Sequence, residues 1–126
     1  MNHVQEQYAQ WLSNEPWHYF FTGTFREDYS SNSARRAGER FFGKVTRPEL
    51  ALLFIERGEL YGKIHLHGLL RYPSCRNRPT ARSVWELWYE RYGRAKVEVP
   101  RSNQNVANYV SKYVLKHAKN ETWFVV

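Results

Sequence analysis

Two kinds of apolar spacing run along the chain, and they mark its elements. Residues 3 to 13 have helical spacing and read as a short helix. The stretch WHYFFTGTF (17 to 25) is aromatic and β-branched and reads as a strand. SSNSARRAGERFFGKV opens on Ser and Asn caps and continues in helix formers, which predicts a helix from about Ser33 to Lys44. ELALLFIER (49 to 57) and KIHLHGLLRY (63 to 72) read as strands joined by GELYG, with a glycine at each end. That pair forms a hairpin closing on Leu60-Tyr61. PTARSVWELWYERYG (79 to 93) is a helix with Gly93 just past its end, and RAKVEVP alternates as a strand that Pro100 stops. SNQNVANYVSKYVLKHAK (102 to 119) is a helix capped by Ser102 or Asn103, and TWFVV adds a final edge strand. After the first helix the order is β-α-β-β-α-β-α(-β). The fold class is α+β: a central antiparallel sheet of about five strands, flanked by helices that pack on one face.

With 126 residues, the chain is one domain, residues 1–126, able to bury a core. No window reaches the roughly 18 apolar residues of a membrane span, and the N-terminus lacks the basic and apolar regions of a secretory signal. Cys75 is the single cysteine, so no internal disulfide forms and nothing points to export. The expected location is cytoplasmic or inside a host cell. A net charge of +7 favours a polyanionic partner, and 17% aromatic content suits unpaired bases that stack on rings. No G-x-x-x-x-G-K-[ST] loop is present, so no helicase domain is expected.

The histidine strand carries the first candidate chemistry. His65 and His67 share one strand face while Leu66 takes the other. If the hairpin closes as above, Glu56 lies opposite His65, about 5 Å away. Two imidazoles and a carboxylate with open positions suit a divalent ion, Mg²⁺ or Mn²⁺ in use, with Zn²⁺ and Co²⁺ also accepted. The plainer alternative is a pair of hydrogen-bonded sheet histidines beside a solvated glutamate. Histidine-triad chemistry is excluded, because the next alternate position is Leu69.

The last helix carries the second. Tyr109, Lys112, Tyr113 and Lys116 share one face, while Val106, Val110 and Val114 form a core stripe. At about 100° per residue, Tyr113 falls near the edge of the stripe and Tyr109 further round. A tyrosine hydroxyl can attack a phosphodiester, and neighbouring lysines favour the phenolate and offset charge on the phosphate. The alternative is an amphipathic helix with tyrosines at the core edge.

Three segments in fixed order, FFTGTF (20 to 25), HLHG (65 to 68) and YVSK (109 to 112), resemble the motifs of the HUH endonucleases. Specifically, they resemble those of the rolling-circle replication initiators (Rep proteins) of small single-stranded DNA viruses, phages and plasmids. The resemblance covers about residues 17 to 117. It implies an RRM-like or ferredoxin-like sheet with a metal site on one face. It also implies that Glu56, His65 and His67 hold the metal, and that Tyr109 attacks single-stranded origin DNA, free or in a hairpin, leaving a 5′-phosphotyrosine bond. Tyr113 is a candidate second nucleophile, and Lys112 sits by the reacting phosphate. Thr22 and Thr24 match the first motif, with a structural or DNA-contacting role. Arg35, Arg36, Arg40, Arg76, Arg78 and Lys116 are DNA-contact candidates, each equally readable as a solvated charge. The chain is then a minimal nickase or an excised domain, monomer or homodimer, served by a separate helicase and replication machinery. The rivals are a small single-strand transposase of the same superfamily, a non-catalytic single-strand or RNA-binding module, and a nuclease that uses water as its nucleophile.

Overall fold

The computed structural model describes residues 3–58, 62–73, 78–112 and 123–126. Their elements are α1 (His3–Asn14), β1 (Tyr19–Gly23), α2 (Ser31–Arg40), a π-helical turn (Phe41–Val45), β2 (Leu50–Arg57) and β3 (Ile64–Arg71). There follow α3 (Ala81–Arg91), β4 (Ala95–Glu98), α4 (Asn103–Val110) and β5 (Trp123–Val125). The five strands form one antiparallel sheet in the order β4-β1-β3-β2-β5. The fold is α+β, as the pattern predicts. β1 to β4 with α2 and α3 make the split βαβ arrangement, with β1 and β3 innermost. Among the described residues no helix is long and apolar enough to cross a membrane.

Local signals explain the helix starts. The side chains of Ser30, Thr80 and Ser102 accept from the backbone N–H groups of Ser33, Ser83 and Asn105 at 3.0–3.1 Å. Each takes up one of the donors that a first helical turn leaves unbonded. The cap at Ser30 starts α2 two residues before the expected Ser33. Its end also differs: from Phe41 the chain widens into the π turn, which buries both Phe41 and Phe42.

Helices cover both faces of the sheet, not one. β2 and β3 read as nearly continuous apolar runs because both faces are buried. On one face Phe21, Leu53, Ile55, Leu66 and Leu70 meet α2, the π turn and α3 in the larger core, where Trp88 packs edge-on against Phe21 and Phe41. On the other, Leu52, Phe54 and Leu69 meet α1 and α4 through Leu12, Val106 and Val110. Trp17 closes that smaller core, its indole N–H donating to the Leu12 carbonyl at 2.6 Å.

Two glycines are required by geometry. Gly62 ends the β2–β3 connection at φ +64, a conformation other residues rarely adopt. A Cβ on Gly68 would stand 2.6 Å from a Leu53 methyl, so the bare backbone lets Leu53 fill the larger core.

Candidate metal centre and tyrosine helix

The β2–β3 register pairs Glu56 with His65 and Phe54 with His67, as a hairpin centred on Leu60-Tyr61 requires. Residues 59–61 themselves lie outside the described residues. Glu56, His65 and His67 converge on the α1/α4 face, and one ligand atom from each lies within 4.8 Å of the others. This group can hold a metal ion. His67 is buried, while Glu56 and His65 are half-buried, so the cluster opens to solvent on one side.

His67 has a polar neighbour at each nitrogen. Nε2 lies 3.5 Å from a Glu56 carboxylate oxygen. Nδ1 lies 3.2 Å from the Thr22 hydroxyl, which faces it across the β1–β3 pairing. Burial pushes the His67 imidazole down to about 4, helped by His65 and the Lys112 cation and opposed by the Glu56 carboxylate. The ring is therefore neutral at pH 7, the form that ligates metal. If Nδ1 carries the proton and donates it to the Thr22 oxygen, Nε2 is left with a lone pair for a metal ion. Such a hydrogen bond on the far nitrogen fixes tautomer and ring angle in metal sites.

Tyr109 joins this strand from above. Its hydroxyl donates to the Gly68 carbonyl at 3.2 Å, one residue beyond His67. Its ring stacks on Phe20, centroids 4.6 Å apart and planes within 11°. Tyr109 is half-buried and Lys112, one turn on, is exposed. A groove of about 310 Å³ opens between β1, β4 and α4, with Thr22, Tyr109 and Lys112 on its walls.

The other predicted residues scatter. Thr24 is structural: its hydroxyl donates to the Arg94 carbonyl at 2.9 Å and its own carbonyl accepts from the Trp88 indole. Arg35, Arg36 and Arg40 are exposed on α2, across the sheet from the histidines. Arg35 pairs with Glu39 at 3.0 Å, and Arg36 donates to Ser33 at 3.4 Å. Arg78 is exposed just before α3, close enough to His18 that its cation, after burial, is the next cause of that imidazole's lowered pKa. Tyr113, Lys116 and Arg76 lie outside the described residues.

Sequence reasoning gave Thr22 only a general role and missed Phe20 altogether. The alternation of FFTGTF carries the signal, because it puts Phe20 and Thr22 on one strand face. Placing that face against His67 needs the β1–β3 pairing, which spans 45 residues.

No protein-family model matches the chain, and no curated protein or solved structure matches it either.

Proposed function

We propose that the chain is a metal-dependent tyrosine endonuclease that nicks and rejoins single-stranded DNA, as an initiator of rolling-circle replication does. One observation carries this reading: the Tyr109 hydroxyl is bonded to the strand that bears His65 and His67, one residue from His67. A candidate nucleophile and a candidate metal group thus share one side of one sheet.

Glu56, His65 and His67 would hold a divalent ion, Mg²⁺ or Mn²⁺, which when bound polarises a phosphate oxygen. Thr22 keeps His67 in the ligating tautomer. The Tyr109 oxygen attacks the phosphorus and the bond to the 3′ oxygen breaks. The phenolic proton, held toward Gly68, leaves to solvent, and the departing 3′ oxygen takes up another. A 5′-phosphotyrosine and a free 3′-hydroxyl result, and attack by that hydroxyl on the phosphotyrosine restores the strand. The Lys112 cation offsets charge building on the phosphate.

The test is a covalent-adduct assay with Mn²⁺ and a random pool of single-stranded oligonucleotides on denaturing gels. A shifted band in the wild type, lost in Tyr109→Phe and His67→Ala, supports the reading. Loss in Tyr113→Phe alone transfers the nucleophile to Tyr113. DNA bound without an adduct favours the non-catalytic binding module, and DNA cut equally well by Tyr109→Phe and Tyr113→Phe favours a water-using nuclease.

A further inference from the structure

The groove beside Tyr109 has a chemical bias of its own. At about 310 Å³ it lies at the small end of the roughly 300–1,000 Å³ of ligand clefts, room for one nucleotide and not for a run of them. Asn105 and Asn108 line it from α4, three positions apart and so on one helix face. Both amide oxygens are occupied. Asn105 Oδ1 accepts from the Arg101 backbone N–H at 3.2 Å, and Asn108 Oδ1 accepts from the Gln104 amide at 2.9 Å. Among the described residues neither amide nitrogen donates a hydrogen bond. An asparagine amide carries both donors and acceptors. Here each oxygen already spends a lone pair on the helix's own groups, while both NH₂ groups keep their donors for the groove. Beside them Tyr109 of the same helix stacks on Phe20 of β1 to make an aromatic wall, and Lys96, paired with Glu98 at 2.8 Å, supplies a cation at the rim.

We propose that this groove takes one unpaired nucleotide next to the scissile phosphate and reads its base through Asn105 and Asn108. Two donors side by side select an edge with two adjacent acceptors. Guanine offers one at O6 and N7. Adenine sets an amine donor beside its N7 and does not fit. The base lies against the Phe20–Tyr109 wall and its phosphate meets Lys96 and Lys112. The inference rests on the reading of the protein as a single-strand nickase, but it can be tested without cleavage.

The test is fluorescence anisotropy in EDTA, using the full chain and labelled oligo-dT strands that carry one central dG, dA or dC. The wild type is expected to bind the dG strand about five- to a hundredfold tighter than the dA strand, the range one base-edge pair contributes. Asn105→Ala/Asn108→Ala is expected to bring the two strands to parity. Asn108→Asp keeps the acceptor for Gln104 but removes a groove-facing donor, so the dG-over-dA preference that rests on the O6/N7 edge is expected to shrink. Equal binding of all strands by the wild type overturns the proposal, as does a dG preference that survives the alanine pair. Thermal melts check that each variant folds. If the double variant does not, the exposed Asn108→Asp decides, and an unchanged preference overturns the proposal. A dG preference without any covalent adduct removes the nickase reading and leaves the base pocket. An adduct without base preference does the reverse.

Discussion

The Thr22 hydroxyl and His67 Nδ1 stand 3.2 Å apart across the β1–β3 pairing. A residue from the first aromatic strand thereby sets the ring angle of the most buried member of the candidate metal group. Thr22→Val keeps the side chain's shape and removes that hydrogen bond. Divalent metal affinity is expected to fall about 10- to 100-fold, measured by calorimetric titration with Mn²⁺ or Co²⁺. An unchanged affinity would mean that Thr22 only packs.

Metal binding should also appear as stability. At a metal concentration of 100 times Kd, linkage adds about 2.7 kcal/mol. At about 4 °C per kcal/mol for a domain this size, that is a Tm increase of about 10 °C. EDTA should reverse it. Glu56→Ala and His67→Ala should each remove most of it, and a full Tm response in either variant would break the assignment of ligands.

Gly68 lets Leu53 cross the space where a side chain would stand. Gly68→Ala is expected to cost about 1–3 kcal/mol by overpacking, read from urea denaturation. Adding Leu53→Ala should recover part of that loss, because the clash is with a Leu53 methyl. A strictly additive double variant would place the cost in the backbone instead.

Tyr72 predicts the alkaline limit of the fold. It is 2% exposed, and burial raises its hydroxyl from 10.0 to about 12. The unfolded chain ionises this group first, so the contribution is whole below pH 10 and is lost as pH climbs to 12. The loss is about 2.7 kcal/mol, two pKa units at 1.36 kcal/mol each. Unfolding free energies of wild type and Tyr72→Phe across that window check it, the variant giving the flatter curve.

Much of this architecture is legible from spacing alone. The β2–β3 hairpin, its register and the grouping of Glu56 with the two histidines follow from period-two alternation and a short connection. Helix starts follow from Ser and Thr caps. What spacing does not give is the partner of a strand far away in sequence. The pairing of Thr22 with His67 depends on loop closure over many residues, and nothing local encodes it. The second helical layer has its own signal, apart from the one-face expectation: LALLF and LLRY carry apolar residues on both faces, a pattern that calls for cover on each side. Nor does spacing say which face a helix covers: Arg35, Arg36 and Arg40 stand on α2, across the sheet from the histidines.

The division of the interior into two unequal cores has a mechanical consequence. Among the described residues, the strands bearing Glu56, His65 and His67 pack on one face against the aromatic cluster of α2 and α3, and Tyr109 packs on the other against the cluster of α1 and α4. In hydrogen exchange, the amides of α1 and α4 should open at lower free energy than those of β2 and β3. If the exchange order holds, the site works as a vice with one fixed jaw and one sprung jaw, the tyrosine's helix yielding before the histidine strand.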